Sequence, residues 1–238
     1  MAGFLLFNGH MSKEYMPEKQ WSNVDSYITG LFISPDAALE AALQDSADAG
    51  LPSINVTPNQ GKLLMLLAQA MGAKQILEIG TLGGYSTIWL ARALPTDGRL
   101  ITLEFEAKHA HVATKNIARA GLSHLVELRQ GRALDSMKQL VAEKHAPFDL
   151  IFIDADKQGY ADYFQWAMKL SRRGTLMIAD NVVRKGEVVN PDSSDANVQG
   201  IRKFNEAVAA EKRVSATAIQ TVGSKGYDGL AFAVVMAD

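Results

Sequence analysis

The chain of 238 residues is 47% hydrophobic and 21% charged, within the range of ordinary globular proteins and far from disordered or fibrous compositions. Lysine and arginine total 24 against 26 aspartates and glutamates, so the net charge of -2 supplies no overall positive field to draw nucleic acid or an anionic membrane. There is no cysteine, which excludes disulfides, thiolate metal sites, iron-sulfur clusters and a cysteine nucleophile, and suits a reducing, cytoplasmic compartment.

Residues 1–10 are set aside, because Phe4-Leu5-Leu6-Phe7 is too short for a signal sequence and Gly9-His10-Met11 reads as a cloning scar, with the natural start at Met11. Residues 11–54 form a helical N-terminal extension. Helical spacing runs over residues 13–50, and Ser34-Pro35-Asp36 reads as a cap ahead of Ala37 to Ala49. Thr57-Pro58 opens a further helix, Asn59 to Met71, with Leu63, Leu64, Leu66, Leu67 and Met71 as its apolar face. Short apolar runs then alternate with helical stretches: Gln75 to Ile79, Leu100 to Leu103, Leu125 to Leu128, Asp149 to Ile153 and Thr175 to Ala179. That rhythm predicts βαβ units and a mostly parallel sheet over residues 55–238. Ala216 to Val222 and Leu230 to Val235 are too close for a crossover helix and are expected to pair antiparallel across a loop at Gly223 to Gly229. No apolar run approaches the roughly 18 residues of a membrane helix, so a soluble protein is expected.

In an open parallel sheet the strand C-termini share one edge, where ligands bind. Here the first strand ends in Glu78-Ile79-Gly80 and the turn Thr81-Leu82-Gly83-Gly84-Tyr85-Ser86, the second in Glu104, the fourth in Asp154-Ala155-Asp156-Lys157, and the fifth in Asp180-Asn181. The glycine spacing misses both the dinucleotide fingerprint and the P-loop. Glu104, 26 residues after Glu78, stands where a carboxylate accepts ribose hydroxyls, and Glu78 suits a donor or cationic ligand, so an adenosine carrying an amino acid fits better than one carrying phosphates. Asp154, Asp180 and Asn181 read either as oxygen ligands for Mg²⁺, Ca²⁺ or Mn²⁺ or as a helix cap and a polar turn. Lys157 is a candidate base, or a surface lysine. His109 and His111, two apart on a helix, point to different faces, and no zinc motif emerges.

The ordered set Leu77-Glu78-Ile79-Gly80-Thr81-Leu82-Gly83-Gly84-Tyr85-Ser86, Asp154-Ala155-Asp156-Lys157 and Asp180-Asn181 resembles the cation-dependent class I O-methyltransferases of the catechol and caffeoyl-coenzyme A type, most closely their bacterial members. The resemblance runs from about Asn55 to the C-terminus. It implies a Rossmann-like α/β fold with a seven-stranded sheet whose last strand is antiparallel, S-adenosylmethionine as methyl donor, and a homodimer. It implies that Val56, Glu78, Gly80, Thr81, Ser86, Glu104, Ala133 and Asp156 hold the cofactor, that Asp154, Asp180 and Asn181 hold the divalent cation, and that Lys157 is the catalytic lysine.

One departure concerns the acceptor. Plant caffeoyl-coenzyme A enzymes carry a ring-stacking tryptophan in the loop after Asp-Asn, whereas this chain reads Val182-Val183-Arg184-Lys185-Gly186. Arg184 is expected to contact an anionic group of the substrate beside Asp154 and Lys157. The expected reaction is methyl transfer to a hydroxyl of a vicinal-diol aromatic acceptor chelated to the cation. A nicotinamide-dependent oxidoreductase and a non-catalytic S-adenosylmethionine-binding protein are the alternatives. An exocyclic-amine N-methyltransferase is disfavoured, because no Asn/Asp-Pro-Pro-Tyr/Phe follows the fourth strand.

Overall fold

The change of period seen after residue 71, from helical to strand-like runs, becomes a layered sheet in the computed structural model, which describes residues 17–237. The strands are β1 Gln75–Ile79, β2 Arg99–Glu104, β3 Val126–Gln130, β4 Leu150–Ile153, β5 Leu176–Asp180, β6 Val214–Gly223 and β7 Gly226–Val235. The helices are α1 Pro17–Phe32, α2 Ala37–Asp48, α3 Pro58–Ala70, α4 Tyr85–Ala91, α5 Ala107–Arg119, α6 Ala133–Ala142, α7 Tyr160–Lys169 and α8 Ala196–Ala210. Strand order is β3-β2-β1-β4-β5-β7-β6; β7 runs antiparallel to both neighbours and the other pairs are parallel, as the sequence predicted.

Side chains alternate across each strand, so the sheet feeds two cores. Leu77, Ile79, Ile101, Leu103, Ile151 and Ile153 pack with α6, α7 and α8. Ile76, Leu100, Leu150, Phe152 and Ile178 pack with α2 to α5. Because both faces are covered, β4 is buried along its whole length, which is why its sequence is an unbroken Leu-Ile-Phe-Ile.

Local chemistry sets the helix starts. Asp36 accepts the amides of Ala38 and Leu39 at 3.1 and 3.0 Å and pairs at 2.6 Å with Arg92, the residue that ends α4, tying α2 to the sheet's first crossover. Thr57 caps α3 through the Gln60 amide at 3.2 Å, with Pro58 in the first turn. Gly84 caps α4 at φ 83°, a left-handed conformation that favours glycine.

The cap read at Ser34-Pro35-Asp36 is where the helical stretch divides into α1 and α2; α2 buries Leu39 and Ala42 in the core, while α1 buries no residue. Two expectations are corrected. On α3 the buried face is Gly61, Leu64, Met65 and Ala68, and Leu66 is exposed, because the 3.6-residue period selects one stripe of that apolar run. The last two strands extend far into the expected seven-residue loop and meet at a two-residue turn, Ser224-Lys225. The proposed tag at 1–10, the start at Met11 and the first residues of the helical stretch lie outside the described residues.

Candidate active site

The strand-end acids form one row because the register aligns them. Glu78 pairs with Thr102 and Phe152, and Phe152 with Ile178. Two residues further on, the same register brings Gly80 level with Glu104 on one side and Asp154 on the other, with Asp180 beyond. All four share the parity that faces α2 to α5. Gly80, at φ 99°, is the gap in this row: a Cβ there would stand 2.0 Å from the Asp154 carbonyl oxygen. Only glycine lets the β1 backbone pass β4 at this height, and the space above it stays open to a ligand.

A cleft of about 860 Å³ opens over the row. Every expected site residue lines it except Glu78 and Asp180, which are buried behind its wall. Thus Glu78 stands one pleat below the row, under α4. It accepts hydroxyl hydrogen bonds from Ser86 at 2.6 Å, Thr87 at 2.5 Å and Thr102 at 2.7 Å, and its burial pushes its pKa up to about 7 against those donors. Any ligand meets the Ser86 hydroxyl first.

Glu104 is 7% exposed and ties the turn together. Its Oε2 accepts the amides of Thr81 at 3.2 Å and Leu82 at 2.8 Å, and its Oε1 accepts that of Glu106 at 2.9 Å. Buried Asn116 of α5 holds the other side of the turn by donating to the Gly83 carbonyl at 2.9 Å. Val56 and Ala133 supply apolar walls, the latter at the start of α6. Asp156 caps the short 3-10 turn Lys157–Gly159 by accepting the Gly159 amide at 3.1 Å, and also accepts the Tyr163 hydroxyl. The cradle is therefore preformed from backbone amides, carboxylates and small side chains, a donor and acceptor set that suits an adenosyl amino acid.

Across Gly80 the chemistry changes. Lys157 Nζ donates to Asp154 Oδ1 at 2.8 Å and to the Tyr160 hydroxyl at 2.7 Å, and the residue lines the cleft. Tyr160 is fully buried and reaches the Asp180 and Ile153 carbonyls at 3.0 and 3.2 Å; burial, then the nearby Asp154 and Asp180 charges, raise its pKa so that it stays a neutral prop. Asp180 accepts from Gln60 Nε2 at 2.7 Å and from the Asn181 amide at 2.6 Å. Burial first, and the facing Asp154 charge second, push its pKa up to about 7. Asn181 follows at φ 59° and Arg184 at φ 51°, both left-handed. Asp154 and Asn181 in the cleft lining, with Asp180 facing Asp154 from behind it, supply oxygen donors of the kind a hard divalent cation takes. Among the described residues no group of three His, Cys, Asp or Glu side chains is placed to hold a metal; the expected set has two.

Several residues of the site carry no motif. Gln60 sits in what reads as an apolar helix, Tyr160 and Tyr163 look like core aromatics, and Asp228 lies where a loop is expected, yet accepts the Val183 and Arg184 amides at 3.0 and 2.9 Å. His109 lines the cleft with Nδ1 3.4 Å from Glu104, while His111 is exposed. Only Tyr160 had a signal available: it follows Lys157 by three residues, the spacing of neighbours on a helical turn.

Known proteins are similar to this chain in sequence and in fold. The O-methyltransferase family matches residues 35–233. The catechol O-methyltransferase of Niastella koreensis is 56% identical over 92% of this chain and 100% of its own length, and that of Mycobacterium tuberculosis is 47% identical over 90% of this chain and 95% of its own. Among solved structures, the O-methyltransferase from Bacillus cereus in complex with SAH superposes with a TM-score of 0.90 at 59% identity, over 92% of this chain and 99% of that one. The O-methyltransferase TomG from Streptomyces achromogenes, in complex with SAM, gives 0.91 at 50% identity, over 94% and 100%. The matched span runs from the last residues before α2 to β7 and so contains the glycine turn, the whole row of acids and Lys157; this chain belongs to the O-methyltransferase family and is an S-adenosylmethionine-dependent O-methyltransferase.

Proposed function

We propose that this enzyme methylates one hydroxyl of an aromatic acceptor with two vicinal hydroxyls, using a divalent cation held by Asp154, Asp180 and Asn181. The observation that carries the reading is the facing pair of aspartates, Asp154 in the wall of the cleft and Asp180 behind it, with Lys157 beside Asp154 and the Glu104 and Gly80 cradle in the same cleft. The names of the curated relatives support a catechol-type acceptor.

S-adenosylmethionine supplies a sulfonium methyl group whose departure leaves a neutral thioether and needs no acid. A divalent cation such as Mg²⁺, Ca²⁺ or Mn²⁺ lowers the acidity barrier of a chelated hydroxyl and fixes its direction. The rest falls to the chain. Val56, Gly80, Thr81, Ser86, Glu104, Ala133 and Asp156 would hold the donor, with Glu78 acting through Ser86. Lys157, steered by Asp154 and Tyr160, would take the acceptor's proton as the neutral amine, whose two hydrogens serve those partners and whose lone pair is left for the hydroxyl. Orientation within one walled cleft contributes the remainder of the rate.

Family membership argues against the nicotinamide oxidoreductase alternative, and the intact Lys157 and paired acids argue against a non-catalytic cofactor binder. The reading includes a cytoplasmic homodimer. The lack of cysteine supports the compartment, and α1 supports the partner copy, because it buries nothing and leaves Tyr27, Leu31 and Phe32 exposed. Stripping the protein with chelator tests the central claim: S-adenosylhomocysteine should still bind by calorimetry, NAD should give no heat, and methyl transfer to catechols should vanish and return with added Mg²⁺. Full transfer in excess chelator would remove the cation from the reaction.

A further inference from the structure

The cations that line the cleft differ in how they are neutralised. Lys157 has both Asp154 and Tyr160 within 2.8 Å. Arg132, beyond the edge strand β3, is 73% exposed at its side chain and so solvated. Arg184, 28% exposed at its side chain, has no close partner. Its nearest carboxylate, Asp228, lies 3.8 Å from Nη1, outside hydrogen-bond reach, and its Nε is buried without a hydrogen-bond partner. A ligand would meet the guanidinium through its Nη groups, for which no carboxylate lies within hydrogen-bond reach.

The guanidinium is also held in place. Asp228 Oδ1 accepts the backbone amides of Val183 and Arg184, and the loop passes through Arg184 and Lys185 at φ 51° and 56° before Gly186 at 91°. Two non-glycine residues in the left-handed region in succession are seldom tolerated unless the surroundings impose them. Here they follow directly from Asn181 and bring the Arg184 side chain to the cleft wall.

We propose that Arg184 binds a carboxylate carried by the aromatic acceptor, so that hydroxylated aromatic acids are preferred over neutral diols of the same shape. The proposal rests on the methyl-transfer reading above and names its substrate class. The planar guanidinium fork matches a carboxylate in two parallel hydrogen bonds, which a hydrated lysine does not. The cation and Lys157 engage the two hydroxyls at the diol end, so the carboxylate is directed to the Arg184 end, which also sets the acceptor's orientation.

The test compares 3,4-dihydroxybenzoate with 3,4-dihydroxybenzamide, matched in shape and different in charge. The quantity read is the ratio of their kcat/KM values, in which losses common to both cancel. Arg184→Gln should lower the benzoate-to-benzamide ratio about tenfold or more, chiefly through KM for the benzoate. Arg184→Lys, which keeps charge without the fork, should lower it less. Asp228→Asn should raise the ratio, since its Oδ1 still accepts the two amides while the competing carboxylate charge is gone. An unchanged ratio in Arg184→Gln, or a ratio that falls in Asp228→Asn, overturns the carboxylate contact and leaves the methyl-transfer reading standing. Wild-type enzyme that methylates neither compound overturns that reading and this proposal together.

Discussion

Glu104 and Asp180 stand in the same row at the ends of parallel strands, yet their surroundings are opposite. Glu104 is answered by three backbone amides, which match its charge and shape the glycine turn around it. Asp180 receives one side-chain amide and one backbone amide and faces a second aspartate, and its pKa rises to about 7. The half of the cleft on the β2 side is complete before any ligand arrives, a rigid cradle built largely from backbone. The half on the β5 side is left with a carboxylate whose charged form is disfavoured by burial and by the facing Asp154, the condition under which a cation binds with advantage. Gly80 separates the two, because at that level β1 has no side chain to fill the gap.

Breaking one half should therefore leave the other intact, and the largest expected effect is at Asp180. Asp180→Ala should reduce methyl transfer on the order of a thousandfold or more while S-adenosylhomocysteine affinity, measured by calorimetry, changes only a few-fold. Parallel loss of both would erase the distinction between the halves.

Glu78 is the exception on the β2 side, a carboxylate buried beneath the cradle with hydroxyl donors only. Its folded-state pKa of about 7 lies above its ordinary 4.5, so between those values the folded protein holds the proton more tightly than the unfolded chain. Its contribution to stability is full below about pH 4.5 and is lost as pH rises toward 7. Glu78→Gln should remove that dependence and gain on wild type by up to about 3 kcal/mol from pH 4.5 to 8, read from urea unfolding at each pH. A difference that is flat with pH would mean that the three hydroxyls keep Glu78 charged.

Gln60 sharpens the comparison from the β5 side. Gln60→Ala removes the side-chain donor that orients Asp180, and should raise the Mg²⁺ concentration for half-maximal activity about 10- to 100-fold with unchanged S-adenosylhomocysteine affinity. A fall in cofactor affinity instead would assign Gln60 to the cradle.

The sheet, its mostly parallel order and the acids at its edge were legible because period, strand length and turn residues are local properties. Gly80 to Ser86, Asp154 to Lys157 and Asp180-Asn181 each sit at the end of one run, so their place on a common edge followed from the parallel arrangement alone. Leu66 was misassigned because an apolar run longer than a helical face carries no mark of which residues turn inward. The terminal hairpin was read as seven residues of loop because glycines at 223, 226 and 229 resemble a flexible segment, although the β6–β7 ladder carries them in register.

By itself, the sequence determined the fold class, the edge of the sheet that bears chemistry, and the residue types gathered there, since these depend on hydrophobic period and on chain order. Tertiary structure alone decided what each group does. Whether a strand-end acid opens to the cleft or lies behind it depends on register across strands, which set Glu78 one pleat below Gly80. Whether a charge is satisfied depends on donors far away in the chain: Gln60 reaches Asp180 across 120 positions, and Asp228 holds Arg184 across 44. Such pairings are made by packing and not by local propensity, so no window of sequence contains them.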